Sequence, residues 1–253
     1  MSREVSSATA LAPRAAAFRR RLLAWYGRAA RDLPWRRVRD PYAILVSEIM
    51  LQQTQVRRVT DYWSRFLRRY PTLEDLASAP VREVLGAWAG LGYYARARNL
   101  HAAAKRVVRR HDGRLPAEPH VLERLPGIGR YTAAAVASIA FDAPVGTVDT
   151  NIARVLRRMF RLRGAQGSAA RAGATWRLAQ RLAAPGRAAE WNQALMDLGA
   201  TICVARAPRC GRCPVATLCP LGIRAARRVA DTRRSARGRV RPRAAYCARG
   251  TRT

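Results

Sequence analysis

The sequence predicts an all-α protein. Apolar residues recur at three- and four-residue spacing along most of the chain, helix-start signals stand in front of these runs, and no stretch shows the alternation of a half-buried strand. Phe18, Leu22, Trp25 and Tyr26 place a helix over about 15–30, behind an Ala-, Arg- and Ser-rich extension expected to be poorly ordered. Asp40-Pro41 starts the next helix, because Asp caps a first turn and Pro is preset for it. Thr72-Leu73-Glu74-Asp75 resembles a capping box. Residues 81–88 are short and amphipathic, and Gly90-Leu91-Gly92 ends them. Further helices fit about 97–110, 118–125, 130–141, 150–160, 170–183 and 188–202. After Ile223, Arg recurs among small residues without an apolar period, which predicts a disordered basic tail over 223–253.

Composition narrows the function. With 253 residues and 49% hydrophobic content the chain can build a core without disulfides. The formal charge is +32, nearly all from arginine, with Lys105 the sole lysine. Such an excess attracts polyanions, DNA or RNA first among them. The longest uncharged apolar run, 131–141, is too short to span a bilayer, so no membrane role is expected. Nothing implies export, and the expected location is cytoplasmic and nucleoid-associated.

Four cysteines fall within seventeen residues: Cys203, Cys210, Cys213 and Cys219, spaced C-x6-C-x2-C-x5-C. In a chain without a secretory signal these are most simply metal ligands. Structural zinc usually takes paired short knuckles, whereas thiolates alone also suit a [4Fe–4S] cluster; the spacing favours the cluster modestly and leaves zinc open. The run between the first two cysteines is basic and contains Arg206 and Arg209, candidates for DNA contact. Cys247 lies in the tail and is expected to be a free thiol.

Three further features carry chemistry. Leu125-Pro126-Gly127-Ile128-Gly129 lies between two helices, and its glycines can adopt angles closed to other residues. Such a hairpin turns its amides toward a phosphate, or is an ordinary helix–helix turn; the net charge favours the phosphate. Glu48 sits on a mainly apolar helix, flanked at helical spacing by Ile44, Leu45 and Leu51. Desolvation there favours its protonated form, as a general acid requires. Asp149 directly precedes a helix, where the N-terminal dipole favours an anion. The two form the pattern of an acid and an anionic partner. His101, His111 and His120 lack ligand spacing and are read as structural or exposed.

Together these residues resemble a known family. The hairpin, the following Asp149 and the cysteine spacing are similar to the iron–sulfur branch of the helix–hairpin–helix DNA glycosylases. Within it, residues 47–56, 90–100 and 192–200 and Leu33-Pro34-Trp35 resemble the A/G-mismatch adenine glycosylase family, over about 15–222. The resemblance implies two helical lobes. A six-helix lobe would cover 33–143, and a [4Fe–4S] lobe 144–222, joined by the helix of the 1–32 segment. It also implies a monomer that acts on double-stranded DNA containing a mismatch and flips out the target base. On that reading Glu48 protonates the departing adenine, Asp149 stabilises or attacks the sugar, Asn151 supports the site and Tyr131 stands beside the sugar. Arg31, Leu33, Trp35 and Gln193 match adenine-pocket positions, and Gln53 and Tyr93 match residues that wedge into the duplex. The family usually carries a C-terminal domain that reads 8-oxoguanine. About thirty arginine-rich residues follow Cys219, so that domain is not expected here. The alternatives are a thymine or uracil mismatch glycosylase and a non-catalytic DNA-binding protein.

Overall fold

Asp40 starts the helix around which one half of the molecule is packed. Its carboxylate accepts the amides of Tyr42 and Ala43, both at 3.1 Å, and Pro41 occupies the first turn. The structure is a computed structural model describing residues 2–162, 165 and 167–238, with side chains from 13 to 231 except 163, 164 and 166. In chain order its helices are α1 (Ser2–Ala29), α2 (Pro41–Leu51), α3 (Val56–Arg69), α4 (Leu73–Ser78), α5 (Val81–Ala87) and α6 (Ala95–Arg110). They continue with α7 (Pro119–Leu122), α8 (Arg130–Phe141), α9 (Thr150–Phe160), α10 (Ala169–Leu182), α11 (Ala188–Asp197) and α12 (Pro220–Gly238). Among the described residues there is no β-strand, so the fold is all-α.

Two hydrophobic clusters form. The first runs from Trp35 to Ala137 and surrounds α2, whose residues from Tyr42 to Met50 are all buried. Trp63 donates its indole N–H to the Ala43 carbonyl at 2.8 Å, locking α3 onto α2. The second cluster joins Phe18, Leu22, Leu23 and Tyr26 of α1 to α9, α10 and α11, around the buried Trp191. Helix α8 packs on both α2 and α11 and so bridges the clusters. Its run of buried alanines, Ala133, Ala134, Ala135 and Ala137, lets neighbouring backbones approach closely.

Several elements differ from the sequence expectation. Residues 2–14 continue α1, as their alanine content favours, instead of forming a loose extension. The 33–143 stretch carries α2 to α8, one more than six, the extra being the four-residue α7. Helix α3 was hidden in the sequence because the break before it, at residues 52–55, contains neither Gly nor Pro. The helix expected over 188–202 narrows to α11 and then widens into a π-helical turn, Leu198–Ile202. The disorder expected from 223 does not hold through Gly238, because α12 has Pro in its first turn and then alanines and arginines that sustain a helix. Residues 239–253, including Cys247, lie outside the described residues.

Candidate active site

The cleft lies where the two clusters meet and has a volume of about 830 Å³. It brings together Arg31, Leu33, Trp35, Glu48, Gln53, Tyr131, Asp149, Asn151 and Gln193, drawn from five separate stretches of chain. Apolar walls and a few convergent polar groups are the usual make-up of a small-molecule or base pocket.

Glu48 is the buried acid of this cleft, only 5% exposed. Burial pushes its carboxyl up to about 7 from 4.5; a hydrogen bond from Tyr131 pulls the other way, Asp149 adds to the rise and Arg36 opposes it. Tyr131, in the first turn of α8, is itself raised well above the ordinary phenol range by burial and by the two carboxylates. It is therefore a neutral donor to Glu48.

Asp149 caps α9. One oxygen accepts the Ile152 amide at 2.6 Å and the other accepts Asn151 Nδ2 at 2.9 Å. Behind it, Asn192 is fully buried and clamps the preceding loop. It accepts the Thr147 amide at 3.2 Å and donates to the Val145 carbonyl at 2.9 Å. Asn151 is held from its far side by Arg154, which donates to Asn151 Oδ1 and to the Gly199 and Cys203 carbonyls, each at 2.7 Å. A Cβ at Gly199 would lie 2.6 Å from Asn151 Cβ, so only glycine admits this contact.

A second network fixes the opposite wall. Asp197 is fully buried and accepts Arg31 Nε at 2.6 Å, the Arg31 amide at 3.1 Å, and both Arg36 Nη atoms at 2.6 and 2.8 Å. Burial alone would raise Asp197, but Arg36 and Arg31 outweigh it and hold the carboxyl below its ordinary range. Binding through Nε leaves the outer fork of Arg31 available to the cleft. Tyr26 donates to Gln193 Oε1 at 2.6 Å and orients that amide.

The remaining candidates lie outside the cleft. Tyr93 is 58% exposed on the turn before α6. Gly127 has φ +74°, and a Cβ there would meet Asn99 at 2.5 Å, so the hairpin requires glycine. Gly129 differs from expectation: its φ of −89° is open to any residue, and what its missing Cβ leaves is open space over the start of α8. Arg206 and Arg209 are exposed, and Arg209 donates to the Thr201 carbonyl at 3.3 Å. The roles of Asn192, Arg154, Arg36, Tyr26 and Asp197 were missed in the sequence. Only the motif residues around Asn192 and Gly199 hinted at them.

Cys203, Cys210, Cys213 and Cys219 are all free and half-buried. Burial raises the Cys210 and Cys213 thiols, the latter to about 11, and the charges of the other cysteines raise both further. The four cysteines thus lie near one another on the 203–219 loop, although among the described residues their side chains are not drawn into a closed metal-holding group. Arg158 Nη1 stands 3.3 Å from Cys203 Sγ. An all-thiolate donor set of this kind fits an iron–sulfur cluster.

Comparison with known proteins agrees. Residues 46–181, more than half of the chain, match the HhH-GPD superfamily of base excision DNA repair proteins. A protein of Mycolicibacterium smegmatis named adenine DNA glycosylase is 44% identical over 228 residues, covering 87% of this chain and 77% of that protein. The chain belongs to the adenine DNA glycosylase family of HhH-GPD proteins. Residues 203–219 match the iron–sulfur binding domain of endonuclease III, which decides for a [4Fe–4S] cluster over zinc. The adenine DNA glycosylase of Rattus norvegicus is 48% identical over 229 residues, 87% of this chain. This family member spans between 39% and 44% of the length of the mammalian relatives it matches. A solved thermostable thymine-DNA glycosylase superposes with a TM-score of 0.77 at 33% identity, covering 85% of this chain and 99% of that one. Among the described residues of this HhH-GPD protein, no helix is long and apolar enough to cross a membrane.

Proposed function

We propose that the protein is a monofunctional adenine DNA glycosylase that hydrolyses the N-glycosidic bond of adenine mispaired with guanine or 8-oxoguanine. The observation that carries this reading is the pairing of a buried carboxyl, raised to about 7, with a second carboxylate held by a helix N-terminus in the same cleft. Glu48 supplies the proton that converts the departing base into a neutral leaving group. Asp149 faces the sugar, where positive charge develops as the bond breaks, and balances it. Tyr131 and Asn151 keep the two carboxylates in place, and the cleft admits a base only after it leaves the stack. Arg31, Leu33, Trp35 and Gln193 enclose that base.

The chain acts as a monomer on mismatched duplex DNA. Gly127 and Gly129 bring backbone amides to a phosphate, helped by Arg206 and Arg209, while Gln53 and Tyr93 enter the duplex. The division into a 33–143 lobe and a 144–222 lobe completed by α1 follows the two hydrophobic clusters. Cys203, Cys210, Cys213 and Cys219 would hold the [4Fe–4S] cluster, which would serve to order the 203–219 loop and its arginines for contact with DNA.

The likeness to the thymine-DNA glycosylase favours one second reading, excision of thymine opposite guanine. Single-turnover base release from duplexes carrying A or T opposite G, and A opposite 8-oxoguanine, separates the two. Release of thymine but not adenine would replace the first reading with the second.

A further inference from the structure

One guanidinium ties together the two turns that flank the cleft. Arg96, in the first turns of α6, is only 8% exposed, and among the described residues it has no ion-pair partner. Its Nη1 donates to the carbonyls of Ile49 at 3.0 Å, Met50 at 2.8 Å and Gln52. Its Nη2 donates to Thr54 Oγ1 at 3.1 Å and to the carbonyls of Leu91 at 3.4 Å and Gly92 at 3.1 Å. Ile49 and Met50 belong to the negative end of α2, so the helix dipole balances the buried cation.

These bonds grip both neighbours of Gln53 and the residue before Tyr93. Gln53 has φ +56° and Tyr93 φ +50°, the left-handed region that side-chain-bearing residues rarely occupy. The Tyr93 ring centroid lies 5.3 Å from the guanidinium, and Trp88 donates to the Gly92 carbonyl at 3.2 Å. Two strained turns thus share one rigid, doubly forked anchor.

We propose that Arg96 is a positioning residue for base extrusion: it locks the Gln53 and Tyr93 turns in the shape that drives both side chains into the duplex. The inference rests on the wedge role given to those residues above. Without the anchor both turns relax toward ordinary backbone angles, and the ordering needed for insertion is paid at each encounter with DNA. Lysine keeps the charge but lacks the planar fork that spans both turns.

The test uses the full, cluster-containing protein and a duplex in which 2-aminopurine replaces the target adenine opposite guanine. Its stopped-flow fluorescence rise reports extrusion, and adenine release is measured separately under single turnover. Arg96→Lys should slow both extrusion and release by about 10- to 100-fold, as misplacement of about an ångström typically does. Thr54→Val, which removes one partner of Nη2 and leaves the guanidinium, should slow extrusion less and in the same sense. It decides the matter if Arg96→Lys does not retain the melting temperature and visible absorption of the unmodified protein. A normal fluorescence rise in the folded variants, whether or not release is slowed, would overturn the inference. Extrusion by the unmodified protein without any adenine release would overturn the proposed chemistry instead, leaving the anchor role intact.

Discussion

Tyr131 and Glu48 are hydrogen-bonded across two helices, the phenol of α8 donating to the carboxylate of α2. The bond favours the ionised carboxylate, while burial favours the protonated one and prevails, leaving Glu48 near 7. The proposed reaction needs the proton, so single-turnover excision should fall as pH rises through about 7. Tyr131→Phe removes a contact that lowers Glu48, so the falling limb should move to higher pH. Rate profiles of the two proteins check this, and an unmoved limb would remove Tyr131 from control of the acid.

The same burial makes Glu48 a liability for stability. Its folded value of about 7 lies above the ordinary 4.5, so between these values the folded state holds a proton that the unfolded chain has released. Stability is present below 4.5 and is lost as pH rises through about 7, by up to about 3 kcal/mol. Glu48→Gln escapes this penalty. It should melt higher than the unmodified protein at neutral pH, with the gap closing toward about pH 4.5, while excision falls by roughly 10²–10⁴-fold. A gap that stays constant with pH would show that the gain is not electrostatic.

Asp149→Asn separates chemistry from capping. Asn is about as good an N-cap as Asp, so the bond to the Ile152 amide survives and thermal stability should change by less than about 1 kcal/mol. The neutral amide cannot balance charge on the sugar, and single-turnover excision should drop by about 10²-fold or more. Near-normal excision by this variant would exclude Asp149 from the reaction.

Much of this site was legible in the sequence because its residues obey local rules. Glu48 stood out as a carboxylate among apolar residues at helical spacing, and Asp149 as an N-cap. The cysteine spacing announced a metal site without choosing the metal. The supporting residues were not legible in the same way. Asp197 meets Arg31 and Arg36 from more than 160 positions away, and Arg154 reaches both Asn151 and Cys203. Such partners depend on how helices pack, which no local pattern encodes. The helical course of 223–238 was missed for a different reason: without an apolar stripe, intrinsic propensity was the only signal.

The cleft contains no lysine among its lining residues, and this sets the last expectation. Strand cleavage by a glycosylase requires an amine that forms a Schiff base with the opened sugar. Bifunctional members of the resembled family place a lysine where this chain has Tyr131, a phenol that burial and two carboxylates keep protonated. Lys105, the sole lysine, is exposed on α6, outside the residues that line the cleft. Hydrolysis by water should therefore leave intact strands with an abasic site, which break only after hot alkali. Borohydride should trap little protein–DNA adduct, and Tyr131→Lys should increase the trapped fraction by placing an amine beside the sugar. Efficient trapping by the unmodified protein, abolished in Lys105→Ala, would show that α6 reaches the sugar and that the enzyme cuts the strand itself.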